Sequence, residues 1–201
     1  MLRITTALCL LSPALASAQC LTTESLDAGI TVEYASGNIS HIQRQLDGTI
    51  LDAYYDNDSY YKEVILFETQ DGVVESQWVM HEPDSWEVQN ATRKTYDFDA
   101  ASVAPYSAGT RGVGLSTWEG DPYSSGEKKY SWYGYESEPL VLGDCSYDAV
   151  RVFTYELSTS FDDLFIREIT YLPALGIGVQ LGNSYFNWST DSSTVVSMTA
   201  G

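Results

Sequence analysis

Five β-like runs, joined by turns rather than by helical stretches, follow one another within about fifty residues of Gly29, and little besides an antiparallel sheet satisfies that pattern. Ile30-Thr-Val-Glu-Tyr34 alternates cleanly, Gly37-Asn38 supplies a turn, and Ile39 to Leu46 returns. Asp47-Gly48 is a hairpin signal before Thr49 to Tyr55. After the acidic loop Asp56 to Ser59 come Tyr61 to Gln70, an Asp71-Gly72 turn, and Val73 to Met80. Strands joined in this way pair with their sequence neighbours, so a meander is expected.

Further along, Thr92 to Phe98 resumes the pattern, and Ala100 to Gly114 reads as a loop leading into Leu115 to Glu119. The loop Gly120 to Gly126 precedes the aromatic run Tyr130-Ser-Trp-Tyr-Gly-Tyr135. Glu138-Pro139 opens the segment that delivers Cys145. Val150 to Leu157 and Leu164 to Leu172 then form a hairpin around the polar turn Ser158 to Asp163. Past Pro173 a third strand runs from Ile177 to Leu181, and Thr194 to Met198 is one more candidate within an otherwise frayed end. Leu21 to Leu26 can form a short helical turn, and no longer amphipathic helix stands out. The expected fold is all-β: one antiparallel meander sheet curled into an open or partial barrel, with a β-sandwich as the alternative.

The amino terminus reads as an address. Arg3 is followed by the apolar stretch Ile4 to Leu15 and by Ala16-Ser17-Ala18, a small-x-small cleavage pattern, so residues 1–18 are expected to be a secretory signal peptide and 19–201 a single β domain. The apolar stretch is too short for a transmembrane helix, which needs about 20 residues. Cleavage there leaves two cysteines, Cys20 and Cys145, and in an oxidising compartment such a pair is most simply one disulfide. The expected location is therefore periplasmic or extracellular. Asn38, Asn57, Asn90 and Asn187 each begin an Asn-x-Ser/Thr triplet, which marks a glycosylated surface only in a eukaryotic secretory pathway.

The formal charge of −18 argues against nucleic acid and anionic lipid as partners, because such a surface repels phosphate. Chemistry-bearing patterns are scarce. The two histidines, His41 and His81, make no His-Glu-x-x-His pair, and a Gly-x-Ser-x-Gly elbow is lacking. Asp52, Asp56 and Asp58 have a superficial calcium-loop spacing without the glycine and terminal glutamate of an EF-hand, so solvated loop charge is the better reading. No metal, cofactor or catalytic residue is expected, and the chain reads as non-enzymatic.

Aromatic excess is the more informative feature, with 15 Tyr and 5 Trp. Trp118, Tyr130, Trp132, Tyr133 and Tyr135 are the candidate ligand-binding residues, since flat rings with polar tips stack on sugars or line apolar cavities. Alternation places Tyr133 and Tyr135 on one face and Trp132 on the other.

Two motifs, Leu142-Gly-Asp-Cys-Ser-Tyr147 and Tyr171-Leu-Pro-Ala-Leu-Gly-Ile177, together resemble a recurring ending in uncharacterised exported β-proteins of Gram-negative bacteria. The resemblance covers about 40 residues and implies an envelope location without any catalytic residue. Two functional expectations follow. The first is a secreted or periplasmic protein that binds an apolar or amphipathic ligand, or a partner, in the concavity of its sheet. The second is a carbohydrate-binding or carbohydrate-active module using the aromatic surface, with neighbouring acids such as Glu119, Asp121 and Glu136.

Overall fold

A computed structural model describes residues 20–55, 57, 64–69, 72–81, 88–99, 102–120, 126–158, 164–185, 188–189 and 193–201. The expected signal peptide, Asp56, Asp58, Asp121 and Asn187 lie outside the described residues. After a short helix at Ser25–Ala28 come β1 (Ile30–Tyr34), β2 (Ile39–Arg44), β3 (Ile50–Tyr55), β4 (Val64–Thr69) and β5 (Glu75–His81). Next are β6 (Val88–Tyr96), β7 (Arg111–Glu119), β8 (Gly126–Glu136), β9 (Leu140–Leu142) and β10 (Cys145–Tyr147). The chain ends with β11 (Val150–Ser158), β12 (Leu164–Leu172), β13 (Ile177–Tyr185), β14 (Trp188–Ser189) and β15 (Val195–Ala200).

Thirteen strands form one sheet in the order β14-β13-β12-β11-β8-β7-β6-β5-β4-β3-β2-β1-β15, and every pairing is antiparallel. It is the expected meander with two departures: β9 and β10 make a separate hairpin between β8 and β11, and β15 returns to pair with β1. Twisted open sheets rarely exceed about 10 strands without curling. Curling is what the core records: Ile30, Val32, Ile42 and Ile50 from one end of the sheet cluster with Leu172, Ile177 and Val179 from the other. β14 and β15 are the two sheet edges, so the barrel is open rather than closed, and there is one sheet rather than a sandwich.

Backbone contact across the barrel fixes how tightly it rolls. The turn after β4 reaches β13, where a Cβ on Gly178 would lie 2.3 Å from the Gly72 carbonyl oxygen and one on Gly72 would lie 2.7 Å from Ile177 Cα. Only two glycines permit that approach. Val73 and Val74 follow directly and are buried in a second cluster with Tyr106, Tyr130, Trp132, Val152, Ile169 and Tyr171. The segment bearing Tyr106 thus lies over the inner face, its ring 5.2 Å from Tyr171.

Three local expectations need correction. β7 begins at Arg111, within the stretch read as a loop, because Gly112 sits under the Trp132 ring; a Cβ there would be 2.0 Å from that indole. The carboxyl terminus is not frayed: β15 pairs with β1 from Ile30↔Ala200 to Tyr34↔Val195, and Val195 joins the core. The Asn38 triplet does not begin at a surface position: Asn38 is 7% exposed, its amide donating to the Tyr54 hydroxyl at 2.5 Å, whereas Asn57 is exposed.

Cys20 and Cys145 Sγ lie at bonding distance, 2.01 Å, which ties the first described residue to β10. Beside them the Leu21 amide donates to the Tyr147 hydroxyl at 2.9 Å. The link spans 125 residues. Its removal by Cys145→Ser is expected to lower the unfolding free energy by about 2–4 kcal/mol, chiefly by freeing the unfolded chain. Urea denaturation with and without reductant checks this: if reduction leaves the midpoint where it was, the pair contributes nothing.

Candidate functional site

Strand alternation divides the candidate aromatic residues between two surfaces. On β8 the inward positions are Lys128, Tyr130, Trp132 and Gly134, and the outward ones include Lys129, Ser131, Tyr133 and Tyr135. Trp118, Tyr130 and Trp132 are at most 8% exposed and form part of the interior, with the Trp132 ring 4.9 Å from Phe98 and 6.0 Å from Tyr130. Tyr133 and Tyr135 sit on the outer face. The sequence-derived set is therefore not one site.

Outside, register builds a continuous aromatic strip. Tyr133 stands opposite Phe153 of β11, Tyr135 opposite Arg151, and Ser131 opposite Tyr155. Ring centroids are 4.3 Å apart for Tyr133 and Tyr135, 5.5 Å for Tyr135 and Phe153, and 6.4 Å for Phe153 and Tyr155. Burial pushes the Tyr155 hydroxyl up, helped by Tyr135, to which it hydrogen-bonds. Val113 on β7 and Leu157 on β11 extend the strip and are 81% and 37% exposed. Arg111 faces Tyr133 from β7, Lys129 is exposed on β8, and Arg151 pairs with Glu168 at 3.0 Å. Phe153 and Tyr155 were not singled out by sequence, because only the β8–β11 register brings them beside the tyrosines.

Inside, charges occupy positions that alternation reserves for the core. Lys94 of β6, Glu75 of β5, Glu156 of β11 and Arg167 of β12 are each 3–7% exposed. Lys94 Nζ donates to Glu75 Oε2 at 2.5 Å and to Glu156 Oε1 at 3.2 Å, while Arg167 pairs with the other Glu75 oxygen. The Trp118 ring lies beside them, with Lys94 Nζ 3.9 Å and Lys128 Nζ 3.2 Å from its centroid. Burial drives the Glu75 carboxyl up, but Arg167 and Lys94 outweigh it and hold the group below the ordinary range. Glu156 ends up raised: burial and the neighbouring Glu75 charge exceed what Lys94 and Arg167 return. Its Oε2 is enclosed without a hydrogen-bond partner.

Asp52 completes this interior and corrects the loop reading, since it is on β3. The residue is only partly buried overall, yet its Oδ1 is sealed off and unpartnered. Burial raises its carboxyl to about 7, against the pull of a Ser40 hydrogen bond and Arg167. A cavity of about 20 Å³ lies against Asp52, Thr69, Phe67 and Arg167, room for one water molecule. His41 is exposed and exchanges a 2.9 Å hydrogen bond with Thr31. Among the described residues no group of three His, Cys, Asp or Glu side chains could hold a metal, and no helix is long and apolar enough to cross a membrane.

No protein-family model, no curated protein and no solved structure matches the chain. Side-chain chemistry alone therefore carries the functional reading.

Proposed function

We propose that this chain is an exported, non-enzymatic binding protein that meets an apolar or amphipathic partner on the outer face of β7, β8 and β11. The observation that carries it is the strip Tyr133, Tyr135, Phe153 and Tyr155, flanked by Val113 and Leu157. Contiguous exposed apolar surface on a folded domain usually marks an interaction site, and aromatic rings give large contact area with little entropy to lose. The inner face offers less support as a binding surface. Val73, Val74 and Tyr106 are buried against it, and the space described beside Asp52 has room for one water molecule. Export is supported by the leader-like residues 1–18, the bonded Cys20–Cys145 pair and the resemblance to exported β-proteins.

A carbohydrate partner is the second reading, favoured by three of the four rings being tyrosines, whose hydroxyls can bond to sugar while the ring stacks. The two are separated by one variant and two probes. Tyr133→Ser with Tyr135→Ser is expected to reduce binding of a fluorescent apolar dye at least tenfold, with the unfolding midpoint nearly unchanged because Tyr135 is 44% exposed. Loss of signal on a glycan array, with dye binding intact, would favour the carbohydrate reading. If neither probe distinguishes variant from parent, the outer face is not the binding surface.

A further inference from the structure

Lys94 and the two glutamates around it have an arrangement that a salt bridge does not require. With Arg167 also on Glu75 the four groups balance in charge, yet the amine itself touches two acids where one would neutralise it. Glu156 is then a second acid at the same amine, 3.2 Å from Nζ, with its remaining oxygen enclosed and bonded to nothing. All three side chains are at most 3% exposed, and Trp118 lies against the amine. That burial keeps bulk water from the amine and so disfavours hydrolysis, the reverse of an acyl transfer.

We propose that Lys94 Nζ and the Glu156 side-chain carboxyl condense to an intramolecular amide, with Glu75 as the proton carrier. Lys94 Nζ passes one proton to the Glu156 carboxylate and then attacks its Cδ, forming the N–C bond. Glu75 Oε2, 2.5 Å from Nζ, accepts a proton from the attacking nitrogen and passes it to the departing hydroxyl. The C–O bond to that hydroxyl breaks, one water leaves, and Glu75 returns to carboxylate. Nothing is oxidised or reduced, and no co-reactant is needed. The roles are not interchangeable: Arg167 holds Glu75 as the anion, which makes it a base and a poor electrophile, whereas among the described residues the cation paired with Glu156 is Lys94. Folding supplies what free lysine and glutamate lack, because fixed neighbours react with effective concentrations far beyond those reached in solution.

The bond would join β6 to β11, which are not neighbours in the sheet, and would close a covalent link across the rolled interior. It would complement Cys20–Cys145, which holds the start of the chain to β10.

Peptide mass mapping of the purified full-length product, reduced and denatured, tests the assignment. The expected result is a branched peptide joining the segments that contain Lys94 and Glu156, lighter than their sum by one water. Lys94→Arg keeps the positive charge and should give only the linear peptides and slower migration on a denaturing gel. Glu75→Gln should leave most molecules unlinked. Linear peptides alone in the parent protein would overturn the proposal, and so would a branch from Lys94 to Glu75 instead of Glu156. The parent measurement needs no variant to fold, so the result is decisive even if a substitution proves unstable.

Discussion

Replacing Glu75 by Gln is expected to lower the unfolding free energy by about 3–5 kcal/mol, the range for removing one partner of a buried ion pair. Glu75 is bonded to two interior cations, with Lys94 on Oε2 and Arg167 on Oε1. The neutral amide keeps the volume but removes the carboxylate that the Arg167 guanidinium pairs with in an enclosed space. Loss of the Lys94–Glu156 link in the same variant adds to this figure. Apolar replacement of both partners behaves differently, since the desolvation penalty disappears with the charges. Glu75→Leu combined with Arg167→Met should recover most of what Glu75→Gln loses. Urea denaturation of the three variants measures this; a Glu75→Gln midpoint within error of the parent would mean that water or another group already compensates Arg167.

How much of this was legible in the sequence depends on whether local pattern or register decides. The strands β1, β2, β3, β11 and β12 were readable because their alternation and flanking turns are local, and the rolled sheet followed from strand number. The second half of β7, Leu115 to Glu119, was readable, and its first half was hidden by Gly112 and Gly114. Glycine lowers strand propensity, yet here its missing side chain is what lets Trp132 and Phe98 lie on the inner face. β15 was readable as the candidate strand Thr194 to Met198, but its pairing was not, because its partner β1 lies at the other end of the chain. For the site, alternation separated Tyr133 and Tyr135 from Trp132, but the strip needs Phe153 and Tyr155, which only cross-strand register supplies.

The interior charges were missed for a different reason. Lys, Glu and Arg are assigned outward by default, since they are rarely buried unless paired, and these come from four separate strands. A signal was nevertheless present. Lys94 is in phase with Thr92 and Tyr96, and Glu156 with Val152 and Thr154, so the inward rhythm of β6 and β11 passes through a charge. Two strands with charges in the core phase, of opposite sign, call for each other inside the sheet.

The same interior makes stability depend on pH in a direction that Asp52 sets. Its carboxyl is raised to about 7 in the folded chain by burial, against an ordinary value of 3.8. Between those values the folded state binds a proton that the unfolded state has released, so the contribution of Asp52 is full below about pH 4 and is lost as pH rises through 7. A displacement of that size corresponds to about 4 kcal/mol. Glu156, also raised by burial, acts in the same direction, whereas Glu75, held low by Arg167 and Lys94, loses its stabilising charge only as pH falls. Asp52→Asn cannot ionise and retains the shape. Relative to the parent it should be more stable by about 4 kcal/mol at pH 8 and show little or no advantage at pH 4, where the parent's carboxyl is already neutral. Paired urea titrations at the two pH values isolate this group, because the other carboxylates are common to both chains. An equal difference at both values would place the Asp52 carboxyl in water, and the inward reading of β3 at that position would fall with it.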